Sequence, residues 1–128
     1  MKLIVYGEPI AKGRPKAAMR GKFPVFYTPK RTREAEDDFV AHTIRERPVK
    51  PLEGPVRLSI GFFKVKPKSY SKKIIFWTKQ PDIDNLVKLV LDAMNKVFFV
   101  DDAQVVELNC FKRYDDVSRT EITIEEIK

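Results

Sequence analysis

Acidic side chains in this basic chain concentrate in one stretch: Asp82 and Asp84, then Lys88 and Asp92, then Asp101 and Asp102. Pro81 biases Gln80 toward an extended conformation, and in an extended segment residues i and i+2 point the same way. Asp82 and Asp84 can therefore share one side. Three carboxylates and a lysine are what metal-assisted phosphodiester hydrolysis needs. Mg²⁺ prefers hard oxygen ligands and leaves positions open for water and phosphate oxygens. It stabilises the attacking and leaving oxygens and lowers the pKa of bound water. A lysine can bind the scissile phosphate or orient the attacking water.

The elements that must position these groups follow from periodicity. Ile83, Leu86, Val87, Val90, Leu91, Met94 and Val97 recur at helical intervals and define a buried stripe. Asp84, Lys88 and Asp92 fall on one line of that helix, with the acidic pair at its positive end. A helix over residues 84–96 would be about 20 Å long, and Val97 to Asp102, if extended, would span about 20 Å. A chain doubling back along the helix would then bring Asp102 beside Asp84. The same residues also suit an N-cap, a solvated turn and an i,i+4 ion pair, and spacing alone leaves these readings open.

Three blocks taken together are more specific. Pro81-Asp82-Ile83-Asp84-Asn85-Leu86-Val87-Lys88, then Leu91-Asp92-Ala93-Met94, then Asp101-Asp102-Ala103-Gln104-Val105 closely resemble the RusA-type Holliday junction resolvases, which carry D-x-D-N-L-x-K, a D-A pair one turn later and D-D-x-Q-V. The resemblance implies a small α/β endonuclease acting as a homodimer on four-way junction DNA. By position, Asp82, Asp84 and Asp102 would be the metal-binding catalytic carboxylates and Lys88 the catalytic lysine, with Mg²⁺ as cofactor and Mn²⁺ able to substitute. The choice of Asp102 over Asp101 rests on the resemblance alone.

Composition agrees with such a partner. The 128 residues suit one domain, 1–128, large enough for a real core. A net charge of +7 points to an anionic partner, nucleic acid before membrane. One cysteine, Cys110, excludes an intrachain disulfide and a thiolate zinc site. One histidine, His42, argues against a histidine triad or a multi-histidine metal site. The apolar run before Glu8 is too short for a signal peptide, and no stretch reaches membrane-spanning length. The expectation is a soluble, cytoplasmic protein with no membrane partner, bacterial or phage-encoded and nucleoid-associated when on DNA.

Along the chain, Leu3 to Tyr6 reads as a short strand. Residues 10–22 read as a flexible basic loop carrying Lys12, Arg14, Lys16 and Arg20, suited to phosphate contacts. Its Lys-Gly-Arg-Pro segment and the later Tyr27-Thr28-Pro29 extend the resemblance more loosely. A helix capped by Thr28 or Thr32 should run to about Arg47, where Pro48 stops it. Val56, Leu58, Ile60 and Phe62 alternate as a strand, followed by a second basic segment with Lys68, Lys72 and Lys73. Residues 74–78 suit a short strand or a loop. Residues 105–114 read as a strand whose hairpin partner is 120–125 across the turn at Asp115-Asp116.

The fold class expected is α/β (α+β): a mixed sheet with two main helices packed on it. The function expected is a Mg²⁺-dependent, structure-selective endonuclease that resolves junctions by paired symmetric nicks in recombination and repair. The rivals are a non-catalytic junction-binding protein and a flap or single-strand nuclease of the same fold.

Overall fold

Val56, Leu58, Ile60 and Phe62 alternate along one strand and are at most 1% exposed, so this strand needs neighbours on both edges and cover on that face. The computed structural model describes residues 1–13, 16–21, 23–27 and 30–128, with the strands at 16–20 and 23–27 described as backbone. Its elements in chain order are β1 (Lys2–Tyr6), β2 (Lys16–Arg20), β3 (Phe23–Tyr27), α1 (Lys30–Thr43), β4 (Val56–Val65), α2 (Ile83–Met94), β5 (Val105–Asp115) and β6 (Arg119–Glu126). The fold is the expected α/β class: a four-stranded mixed sheet in the order β1-β6-β4-β5, with two helices.

The apolar strand β4 is central. It pairs parallel with β5 and antiparallel with β6. This overturns the expected hairpin between residues 105–114 and 120–125. The short turn after Asp115 carries the chain past the end of β4, where Ser118 Oγ accepts from Val65 N–H, so β6 lands on the far side. Burial decides the order: β5 is exposed over much of its length, while Ile122 and Ile124 of β6 are buried. An edge position suits β5 and an inner one suits β6.

Helix α2 covers the apolar face of the sheet with Leu86, Val87, Leu89, Val90, Ala93 and Met94. Phe98 and Phe99 complete the core behind it. Truncating so enclosed a side chain as Phe62 to alanine typically costs about 3–5 kcal/mol. Helix α1 buries Thr32, Ala35, Phe39 and Thr43, one narrow stripe at helical spacing. Thr32 does not cap it, because its Oγ1 accepts from Gly13 N–H; Thr28 lies outside the described residues. A 3₁₀ turn follows α1, and Arg47 is extended as the residue before Pro48 must be.

The opposite face of the sheet is polar and aromatic. Arg57 bonds Glu107 and Glu125 on the two flanking strands. The Phe111 ring packs edge-on to Phe63 and lies over Gly61, where a Cβ would come within 2.6 Å of it. Residues 10–22 are not a plain loop: β2 and β3 pair antiparallel around Gly21, whose φ of 62° suits glycine at a tight turn. The segment 74–78 forms no strand, only a bridge between Phe76 and Arg113.

Candidate active site at the ends of helix α2

The bend before α2 places the first two aspartates. Asp82 sits at the N-cap position in extended conformation, and its carbonyl accepts from Leu86 N–H at 3.2 Å. Its carboxylate makes no capping bond. Asp82, Asp84 and Lys88 are all exposed. The bend is supported from the sheet: Lys112 Nζ on β5 donates to the carbonyls of Lys79 and Pro81 at 2.8 and 2.7 Å. Lys112 and Lys64 both lie against the buried Trp77 ring, 4.9 and 5.4 Å from its centroid. Burial lowers the Lys112 pKa, nearby Asp82 opposes that, and Lys64 adds to it.

About two turns beyond Asp84, Asp92 holds two cations. Lys88 Nζ is 3.3 Å from one carboxylate oxygen and Lys12 Nζ is 2.6 Å from the other. Lys12 also bonds Glu36 on α1 at 2.9 Å, and its backbone N–H donates to Asn85 O. Burial lowers the Lys12 pKa, but Asp92 and Glu36 outweigh it and hold the group above its usual value. Lys12 therefore fastens the basic segment to both helices, and its ammonium is committed to carboxylates.

Of the other residues expected to meet DNA, Lys68, Lys72 and Lys73 are exposed on the loop after β4. That loop is knitted by Lys66 Nζ, which donates to the carbonyls of Ser71 and Lys72. Since β4 and β5 are parallel, it leaves the sheet at the end where Lys112 supports the bend. Lys16 and Arg20 lie on β2. Arg14 lies outside the described residues.

Asp102 lies at the other end of α2. Its backbone N–H donates to Asn95 Oδ1 at the helix C-cap. Eleven helical rises separate Asp84 from Asn95, about 16 Å. The expected extended run along the helix does not occur. Lys96 adopts φ 67°, Val97 and Phe98 N–H groups return to Met94 O, and Val100 N–H bonds Leu52 O. Residues 96–100 are thus consumed in a reversal at the helix C-terminus. Among the described residues, no three His, Cys, Asp or Glu side chains of one chain converge to hold a metal ion.

The Asp101-Asp102-Ala103-Gln104 block divides its labour. Asp101 caps a 3₁₀ turn over 102–104: its carboxylate accepts from Ala103 N–H, and its own N–H donates to Gln104 Oε1. The Ala103 N–H, the largest influence, holds the Asp101 carboxyl below its usual range. Gln104 Nε2 donates to the carbonyls of Leu52 and Gly54. Asp101 and Gln104 are occupied by structure, and the Asp102 side chain is the one without a capping task. None of Asp82, Asp84 and Asp102 is in an ion pair among the described residues.

Lys112 was not singled out from sequence; its only signal was sharing the strand parity of the inward-facing Tyr114.

Residues 6–125 match endodeoxyribonuclease RusA, and the chain is a member of that family. It is 33% identical over 137 aligned residues to the uncharacterized protein YqaN of Bacillus subtilis (strain 168), covering 99% of this chain and 96% of that one. It is 41% identical over 76 residues to the crossover junction endodeoxyribonuclease rusA of Lactococcus phage r1t, covering 57% of this chain and 56% of the phage protein. Among the described residues no helix is long and apolar enough to cross a membrane.

Proposed function

We infer that this protein is a divalent-metal-dependent endonuclease that resolves four-way DNA junctions as a homodimer, residues 1–128 acting as one domain. One observation carries the reading: in a RusA-family chain, Asp82 and Asp84 stand exposed and unpaired among the described residues, at the end of α2 where Lys88, Lys112 and the 66–73 loop gather.

Hard carboxylate oxygens without competing cations suit Mg²⁺, which binds through one or two carboxylates plus water and phosphate oxygens; Mn²⁺ has the same preference. When bound, such an ion stabilises the attacking and leaving oxygens and acidifies a bound water. Asp82 and Asp84 would hold it. Asp102 of the same chain is a helix length away, so a set of three requires Asp102 from a second copy. Lys88 can leave Asp92 to meet the scissile phosphate, since it is exposed and its ion pair is a surface one of small worth. Lys68, Lys72 and Lys73 would contact the arms through phosphates, which position without reading sequence. Two such sites related by a two-fold axis match the symmetry of a four-way junction. The compartment implied is the bacterial cytoplasm, with the gene chromosomal or phage-borne.

The test is cleavage of a labelled four-way junction against matched duplex, flap and single strand, with Mg²⁺ and with EDTA. Paired symmetric nicks on the junction alone, lost with EDTA, are expected. Tight junction binding without nicks under any divalent metal would make the protein a binder. Preferential cutting of flap or single strand would make it a different nuclease.

A further inference from the structure

The backbone of Asp82 is held on both sides. Before it, the carbonyl of Pro81 accepts from Lys112 Nζ at 2.7 Å; after it, its own carbonyl accepts from Leu86 N–H at 3.2 Å. These carbonyls belong to the two peptide planes that meet at the Asp82 Cα, and each plane is rigid. With both planes held, the direction of the Cα–Cβ bond is set and only the side-chain torsions stay free. The second hold is the ordinary first bond of a helix, accepted by the N-cap carbonyl. The first is not ordinary, because it comes from a side chain on another element. The same Nζ also takes the carbonyl of Lys79 at 2.8 Å, so the approach to Asp82 is fastened at two points.

We propose that Lys112 is a positioning residue for the reaction: by tethering the carbonyls of Lys79 and Pro81 to the sheet, it sets Asp82 to receive a divalent cation together with Asp84. The proposal deepens the nuclease reading and rests on it for the identity of the ligand. Lys112 acts through the backbone, since none of the ion pairs among the described residues includes it. An ammonium has three N–H donors and no acceptor, so one group can serve two carbonyls. Its place is also fixed from behind. Lys112 is half-buried, with Nζ 4.9 Å from the ring centroid of Trp77, which is 2% exposed, and an ammonium gains attraction from an indole face.

Lys112 has two opposed effects on cation binding, and their sizes decide the sign. As a positive charge it repels a cation, but one screened charge near a surface alters a binding constant by no more than about fivefold. As a tether it keeps the bend ordered beforehand, whereas ordering even one freed backbone residue costs about tenfold in a binding constant. The bend from Lys79 to Asp82 spans more than one residue. The tether therefore outweighs the charge. Removing Lys112 should weaken metal binding even though it removes a repelling group, a direction that simple electrostatics would reverse.

The experiment uses the full chain, with free Mn²⁺ counted by electron paramagnetic resonance in the absence of DNA and junction cleavage measured separately. Asp82→Asn should lose the Mn²⁺ site, which locates it. Lys112→Met keeps a long stem without donors, and its Kd for Mn²⁺ should rise about tenfold, the usual effect of losing a group that orients a metal ligand. Its cleavage should need correspondingly more Mn²⁺ and recover most of the parent's rate at saturation. A rate lowered by one factor at every Mn²⁺ concentration would make Lys112 a residue of the fold alone and overturn the proposal. Lys112→Arg, whose planar fork can reach two carbonyls, should restore the affinity; an arginine variant as weak as the methionine one would count against the tether. Should Lys112→Met fail to fold, the parent protein still gives an answer. In an NMR spectrum of its ammonium groups, Lys112 should exchange protons with water more slowly than exposed Lys68, and equal rates would overturn the tether. Unchanged or tighter Mn²⁺ binding by Lys112→Met, in a protein whose parent cuts junctions, would end the positioning role and leave the nuclease reading standing. Weaker binding by the variant of a parent that cuts no junction would sink the nuclease reading and uphold the role of Lys112.

Discussion

The two ends of α2 carry the same side-chain type in different employment. At the C-terminal end Asp101 is locked in a capping box with Gln104, and Gln104 is in turn tied to the carbonyls of Leu52 and Gly54. At the N-terminal end Asp82 occupies a cap position yet makes no capping bond, and Asp84 beside it is exposed. A carboxylate that accepts backbone N–H groups stabilises a turn and has little left for a ligand. One held in place by its backbone alone keeps its oxygens available. The contrast separates Asp101 from Asp102 where sequence adjacency did not.

The largest effect that would test this contrast is at the N-terminal end. Asp84→Asn should abolish cleavage, a fall of at least about 10³-fold if the metal-assisted step is lost, with junction binding unchanged or tighter. Persistent cleavage by pure variant removes Asp84 from the mechanism. Next, mixing Asp82→Asn with Asp102→Asn protein should restore nicking of one strand per junction, because the mixed dimer holds one intact set if Asp102 acts across the dimer. Two inactive variants that stay inactive after exchange of subunits would place each set within a chain.

Smaller effects belong to the C-terminal end. Gln104→Ala strands two carbonyls and opens the capping box, and should cost about 1–3 kcal/mol in denaturant unfolding. Asp101→Ala should cost about 1 kcal/mol by loss of its cap; a much larger effect on cleavage than on stability would mean Asp101 is more than a cap. The smallest effect is electrostatic. The Lys112 ammonium has a depressed pKa, so its protonated form opposes folding, and stability rises as pH climbs from the folded value toward 10.5. Asp82→Asn removes the influence that raises this pKa and should push it lower still. A carbon-detected NMR titration of the Lys112 side chain reads it directly, and an unmoved value would mean that Asp82 does not act on Lys112.

Much of this was legible in the sequence for local reasons. The alternation in β4 and the apolar stripe of α2 are properties of single segments, and each determines its own element. Pairing is not local. Residues 105–114 and 120–125 read as a hairpin because a short turn separates them, but the apolar run Val56–Phe62 takes the place between them. The β2–β3 hairpin was hidden by its charge, since lysines and glycine suggested a loop. The aspartates of the motif were legible by type and spacing. Their separation was not, because a six-residue path can be spent in travel or in a turn, and the positive φ at Lys96 chooses the turn.

The basic surplus of this chain poses a hazard that the cation positions resolve. With 25 lysines and arginines against 18 acids, open carboxylates invite self-quenching, the capture of a would-be ligand by the protein's own side chains. The two most enclosed lysines near Asp82 and Asp84 are engaged elsewhere: Lys112 is spent on two carbonyls, and Lys12 on Glu36 and Asp92. Each keeps positive potential close to the site while its ammonium is bonded elsewhere. Fields attract an incoming phosphate over several ångströms, whereas ion pairs need contact. The protein can thus be electropositive around its aspartates without neutralising them.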